Sequence, residues 1–159
     1  MLLSMRKLLV VAILIGAALA GWRYQHRAAT SARRNLALNR FWVDHLPTNE
    51  RDPFNVFVIS APEGIGAFAE ETQWRGQIER FRFDIAGDVV HAVFPWSKTS
   101  EDITLHARAC REHGMDYCLD VSGSTHGVTR YYSLTGWERK DAEDADAFVS
   151  RILTLNARS

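Results

Sequence analysis

One stretch of the sequence decides the fold: Phe81-Arg82-Phe83-Asp84-Ile85-Ala86-Gly87-Asp88-Val89-Val90-His91-Ala92-Val93-Phe94. Apolar and polar residues alternate through most of both halves, which is the pattern of strands with one buried face. The Gly87-Asp88 pair between the halves is typical of a two-residue type II′ turn. The stretch therefore predicts an antiparallel β-hairpin.

The two-residue turn also fixes the register of this hairpin. Apolar residues then face each other on one side of the hairpin: Ile85 with Val90, Phe83 with Ala92, and Phe81 with Phe94. Asp84 lies opposite His91 on the other side. The register therefore predicts one buried face and one polar face.

Residues 103–121 predict a second hairpin by the same alternation. A register that sets Cys110 opposite Cys118 also pairs Arg108 with Asp120 on the polar face, and Ala109 with Leu119 and Ala107 with Val121 on the apolar face. Opposed cysteines of an antiparallel pair lie close enough to bridge. We expect a Cys110–Cys118 disulfide, with two reduced thiols as the alternative, and a disulfide indicates an extracytoplasmic compartment.

Further apolar runs at 55–60 and 128–134 predict two more strands. The C-terminus predicts a helix with an N-cap at Asp141 and one apolar face, formed by Ala145, Phe148, Val149 and Ile152. The expected fold class is α+β: an antiparallel β-meander of about six strands, forming a half-barrel or curved sheet. The C-terminal helix packs against it, and an N-terminal hydrophobic membrane helix precedes it.

A strand-rich domain that opens near Gln73-Trp74 and closes with a helix resembles the calycins, such as lipocalins. The glycine that precedes the tryptophan in that family is absent, because Thr72 and Gln73 stand there. The resemblance implies a barrel-like architecture, and it assigns no binding residues.

Residues 1–24 read as a signal peptide or membrane anchor. The apolar run Leu8–Ala20 has the length of a secretory core, and Ala18-Leu19-Ala20 has the form of a cleavage site. Extension of the run to Tyr24 brings it to the shortest length that spans a bilayer. Residues 25–52 are then expected to form a basic helical stem followed by a hinge, and the helix is expected to run from Gln25 to Leu46. Residues 53–159 predict the β-rich domain.

Charge is distributed unevenly along the chain. Residues 1–40 contain seven of the 19 basic residues and no acid, so residues 41–159 carry 12 basic residues against 19 acids, a net charge of −7. A domain of that charge repels phosphate backbones, so we expect no nucleic-acid partner. We expect residues 8–24 to contact the membrane. Four arginines at or near the end of this segment favour contact with anionic lipid headgroups: Arg23, Arg27, Arg33 and Arg34.

The two sides of the membrane are favoured by different features. The cations that follow the apolar run favour a cytoplasmic domain by the positive-inside rule. The expected disulfide favours the periplasmic or extracellular side. We expect a domain at the cell membrane on the extracytoplasmic side.

The polar faces of the two hairpins provide the candidate ligand or partner surface, together with an aromatic residue in an exposed loop. Its residues are Asp84, His91, Trp96, His106, Arg108 and Asp120. No metal-ligand spacing, phosphate loop or nucleophile motif is present, so we expect no metal, no cofactor and no enzymatic activity.

Three functions remain open. The first is a non-enzymatic partner-binding or accessory subunit of an envelope assembly, with a protein as its partner. The second is a carrier of a small apolar ligand in a calycin-like cavity. The third is a hydrolase that uses the polar sheet face.

Overall fold

The computed structural model describes residues 35–49, 51–71, 76–139 and 148. All of them belong to one of the two compact units of the chain, Arg33–Ser159. Eight antiparallel strands follow one another around a closed barrel: β1 (Phe41–Val43), β2 (Phe54–Ser60), β3 (Ile65–Glu71), β4 (Gly76–Ala86), β5 (Val89–Phe94), β6 (Thr99–Ala109), β7 (Tyr117–Ser122) and β8 (Arg130–Ser133). The barrel closes where Val43 of β1 pairs with Tyr132 of β8.

The predicted α+β fold with an open sheet of about six strands is therefore wrong. Two strands were missed, and both are needed for closure. β1 lies inside the helix predicted from Gln25 to Leu46, since pairing with β2 and β8 overrides the helix propensity of this short segment. β3 pairs along its whole length with β2 and with β4.

The predicted N-terminal hydrophobic helix lies outside the described residues, and so does the predicted C-terminal helix except for Phe148. That residue is helical and fully buried. Its ring stacks on Phe41 of β1, with 4.1 Å between ring centroids.

The first hairpin has the predicted register. Ile85 pairs with Val90, Phe83 with Ala92 and Asp84 with His91. Gly87 has a φ of 66°, whereas Asp88 does not have a positive φ. A positive φ at the first loop position alone is the signature of the expected type II′ turn.

The second hairpin is shifted by two residues from the predicted register. Cys118 lies opposite Arg108, and Asp120 lies opposite His106. A shift of two leaves every side chain on the same face, so alternation cannot distinguish the two registers. The predicted disulfide is nevertheless confirmed: Cys110, just beyond the end of β6, is bonded to Cys118, with 5.7 Å between the Cα atoms.

Aromatic rings fill the described interior of the barrel. Neighbouring rings pack at centroid distances of 4.7 Å (Phe57–Phe68), 5.5 Å (Phe68–Phe81), 5.2 Å (Phe81–Phe94) and 5.6 Å (Phe57–Tyr131). An eight-stranded barrel is just wide enough for side chains to fill it or for one small ligand to replace them. In this barrel the side chains occupy the space.

A second apolar cluster lies on the outside of the barrel wall, around β1, β2, β7 and β8. Its buried residues include Phe41, Val56, Cys118, Trp137 and Phe148. Because these outward side chains are covered, this part of the wall is closed to solvent. The outer surfaces of β3 to β6 instead carry exposed side chains.

Arg40 closes the barrel end at which β1 begins. The guanidinium lies 4.3 Å from the centroid of the Tyr117 ring and donates hydrogen bonds to Ser133 Oγ (3.4 Å) and the Leu134 carbonyl (2.8 Å). Glu138 supplies the matching carboxylate. A buried cation is therefore fully partnered, as burial of charge requires.

Candidate functional site

The predicted polar face exists as a contiguous surface. Asp84, His91 and Asp102 lie side by side on β4, β5 and β6. His91 Nδ1 lies 2.5 Å from Asp102 Oδ1. Asp102 was not among the predicted residues, because its neighbour on β5 depends on a β5–β6 pairing that the sequence pattern did not reveal.

The other half of the polar face is an ion-pair network. Arg130 donates to Asp120 at 2.7 Å and to Glu112 at 3.3 Å, and Glu112 also accepts from Arg108 at 3.1 Å. The hydrogen bond from Arg130 holds the pKa of Asp120 below its usual value. These side chains are roughly half exposed and satisfy one another, so the network is typical of a solvated sheet surface with little net stabilisation.

Trp96 is separate from the other predicted residues. It lies in the turn at 95–98 between β5 and β6, whereas Arg108 lies near the far end of β6. The indole is 80% exposed. The structure thus places five of the six predicted residues on neighbouring strands and leaves Trp96 at the opposite end of the wall.

A second outer surface was not predicted from the sequence, and we call it the basic–aliphatic face. It consists of Ile65, Ile78, Arg80, Arg82 and Val93 on β3, β4 and β5. Ile65, Arg82 and Val93 form one row of direct cross-strand neighbours. The exposed fractions of Ile65, Ile78 and Val93 are 44%, 38% and 52%. Clustered large aliphatic side chains in water are characteristic of contact surfaces rather than of ordinary sheet exteriors.

The arginines of this face differ from the other arginines on the described strands. Arg108 on β6 and Arg130 on β8 each pair with a carboxylate. Arg80 and Arg82 are exposed, and neither forms an ion pair with any residue that the structure describes. Both guanidinium groups are therefore available to a binding partner.

The mouth of the barrel, at the end where β7 finishes and β8 begins, is organised by Glu101. Its carboxylate accepts hydrogen bonds from Ser124 Oγ at 2.8 Å and from the Thr125 amide at 3.2 Å, and contacts His126 Nδ1 at 3.3 Å. The His126 ring stacks on Phe94 with 4.1 Å between centroids. The loop at 123–129 thus covers the aromatic interior. It is held there by the Glu101 carboxylate and by the Tyr131 hydroxyl, which accepts a hydrogen bond from the Val128 amide at 3.0 Å.

A cleft of about 480 Å³ opens beside this loop. Its lining includes Asn55, Phe68, Glu70, Gln77, Glu79 and His126. The cleft is large enough for a small ligand. Polar and apolar groups line it about equally, and it lies at the mouth instead of inside the ring-filled barrel, so it differs from the apolar interior cavity expected of a carrier.

Glu101 should make the stability of the protein depend on pH. Burial raises its pKa, but the hydrogen bonds from Thr125, Ser124 and His126 outweigh burial and lower the pKa below its usual value of 4.5. A lowered folded-state pKa contributes stability above the unfolded pKa, and this contribution is lost as the pH falls through the folded pKa.

We therefore expect Glu101→Gln to lower the free energy of unfolding by about 1–2 kcal/mol at neutral pH, and by much less near pH 3. Urea titrations at both pH values measure the difference. Glu70→Gln is the matched control, since Glu70 is an exposed glutamate of the same mouth. An equal loss of unfolding free energy by Glu101→Gln at both pH values would contradict the role assigned to the carboxylate.

One group of potential metal ligands occurs among the described residues. Donor atoms of Cys110, Glu112 and Cys118 lie within 4.8 Å of one another. The two sulfur atoms are bonded to each other, and the Glu112 carboxylate pairs with Arg108 and Arg130. Since a metal needs free thiolates, the group is better explained as a disulfide beside an ion pair.

Comparisons with protein-family models, curated proteins and solved structures give no match. Across the described ranges, no helix has the length and apolar character of a membrane span. The predicted anchor at residues 8–24 lies outside those ranges. The described side chains give positive support neither for catalysis nor for its exclusion.

Proposed function

We propose that the protein is a non-enzymatic binding subunit of an envelope assembly, held at the membrane or exported across it, and that it contacts a partner protein through the basic–aliphatic face. The observation that carries the proposal is the row of Ile65, Arg82 and Val93, exposed on three adjacent strands. Apolar side chains at the centre of a contact, with arginine beside them, are the composition of protein interfaces.

The closed barrel gives this contact surface a hydrogen-bonded backbone. β3, β4 and β5 are each paired on both sides, so the backbone beneath the face has no free edge. A face on such a scaffold changes little on binding, and little ordering free energy is lost. The contact surface is therefore preorganised.

The proposed cellular location rests on two features of the sequence and one of the structure. Residues 8–24 have the composition of an anchor or export signal, and four arginines follow at or near their end. The Cys110–Cys118 disulfide supports an oxidising compartment. The four arginines alone would favour the cytoplasmic side, so the proposed extracytoplasmic location depends on the disulfide.

The proposal is tested by co-purification of partners from membranes with the full-length protein. Ile65→Ser combined with Val93→Ser should abolish recovery of a partner that the wild-type protein retains, because the apolar centre of the contact is lost. Thr104→Ala combined with His106→Ala is the matched control, since both side chains point outward from β6. Equal recovery by all three proteins would refute the assignment of the face.

A further inference from the structure

We infer that the partner segment bound by the basic–aliphatic face is acidic and partly apolar. This inference rests on the proposed function and names the chemistry of the partner. Two arginines without carboxylate partners among the described residues lie among three exposed aliphatic side chains. A ligand that satisfies both features must supply carboxylates and apolar groups together.

The spacing of the arginines fits such a segment. Arg80 and Arg82 are two residues apart on β4 and point to the same side, so their Cα atoms are about 6.5–7 Å apart. Carboxylates on alternate residues of an extended partner segment have the same spacing. Arginine can bind each carboxylate through two parallel hydrogen bonds.

The charge of the surroundings makes the face selective. Residues 41–159 carry a net charge of −7, so most of the domain repels an acidic partner. The row of Asp84, His91 and Asp102 borders the face directly beyond Arg82. An acidic segment is therefore attracted to the arginines and excluded from the adjoining row, which fixes its position as well as its affinity.

A bilayer with anionic headgroups is the alternative occupant for a surface of this composition. The polar row beside the face counts against it, because Asp84 and Asp102 would approach the same headgroups as Arg82. A compact acidic segment that ends at Arg82 avoids this conflict.

The experiment uses the full-length protein in a zwitterionic detergent and two blocked peptides, Glu-Leu-Glu-Leu-Glu and Lys-Leu-Lys-Leu-Lys, with calorimetry as the readout. The wild-type protein should bind the glutamate peptide and not the lysine peptide. Arg80→Glu combined with Arg82→Glu should weaken binding of the glutamate peptide at least about tenfold and create binding of the lysine peptide.

The matched control is Arg51→Glu combined with Arg111→Glu, which changes the net charge equally at two exposed arginines outside the face. It should leave binding of the glutamate peptide within about twofold of the wild type. Absence of glutamate-peptide binding, or an equal loss in the control, would overturn the inference. A third result would also overturn it: Arg80→Glu with Arg82→Glu reduces binding to phosphatidylglycerol vesicles but does not change binding of the peptides. The occupant of the face would then be a lipid surface.

The two proposals fail in different ways. If Ile65→Ser with Val93→Ser abolishes partner recovery while the glutamate peptide does not bind, the face is an interface and the acidic chemistry is wrong. If no variant changes partner recovery, the proposed function itself is wrong.

Discussion

Replacement of Phe81 by alanine should lower the free energy of unfolding by about 3–5 kcal/mol. Phe81 is 1% exposed and belongs to the apolar cluster inside the barrel. It packs against four other rings, at centroid distances of 6.5 Å (Phe57), 5.5 Å (Phe68), 6.2 Å (Phe83) and 5.2 Å (Phe94). Truncation removes these contacts and leaves a cavity that a closed barrel cannot easily collapse. Equilibrium urea unfolding measures the loss.

Gly66 provides the internal control for this effect. It is paired directly with Phe81, and a Cβ atom at Gly66 would lie 2.1–2.8 Å from three atoms of that ring. Gly66→Ala should therefore cost about 1–3 kcal/mol in the wild-type protein. It should cost much less in the Phe81→Ala background, where the ring is gone. Additivity of the two changes within about 0.5 kcal/mol would contradict the packing described here.

Loss of the disulfide should have the second largest effect. Cys110 and Cys118 are eight residues apart, so the bond closes a short loop and restricts the unfolded chain. In the chain-entropy model a loop of this size is worth about 2–3 kcal/mol. Cys118 is also fully buried, so its replacement removes packing beneath the outer apolar cluster.

Chemical unfolding with and without a reductant measures this contribution. The wild-type midpoint should fall on reduction. Cys110→Ser with Cys118→Ser should have a midpoint at or below that of the reduced protein, because it also loses the packing of Cys118, and it should be insensitive to the reductant. An unreduced wild-type midpoint equal to that of the double variant would contradict the assigned role. Thiol labelling of intact cells, compared with labelling after reduction, tests the proposed extracytoplasmic location through the same two residues.

The sequence was sufficient for the first hairpin because two independent signals agree there. The Gly87-Asp88 loop and the alternation on either side permit one register, and the barrel has that register. The second hairpin lacks a short turn, so alternation alone determined its faces. A shift of two residues preserves the faces, and the predicted pairing of Arg108 with Asp120 became that of His106 with Asp120.

The missed strands show where local patterns fail. β1 has only three residues and follows a segment rich in helix formers, so its strand character comes from its pairing with β2 and β8. In β3 the inward position opposite Phe81 is Gly66, which weakens the apolar alternation. Closure of the barrel depends on both strands, so the sequence pattern predicted an open sheet.

The proposed contact surface and the polar face beside it could be predicted only in part, for the same reason. Hairpin registers placed Asp84 beside His91, and the structure confirms that pair. The basic–aliphatic face depends on the pairing of β3 with β4, which no turn signal revealed. One clue was present in the sequence: Val93 occupies a position on the polar side of its strand, where an exposed valine has no packing role.

Photo-crosslinking in intact cells tests the basic–aliphatic face most directly. A photoreactive amino acid at Val93 should give a covalent adduct with one partner protein, and the crosslinked segment should be acidic. The same amino acid at His106, on the outer surface of β6, should give no such adduct. Adducts of equal yield at both positions, or none at Val93 in cells that express the protein normally, would contradict the account.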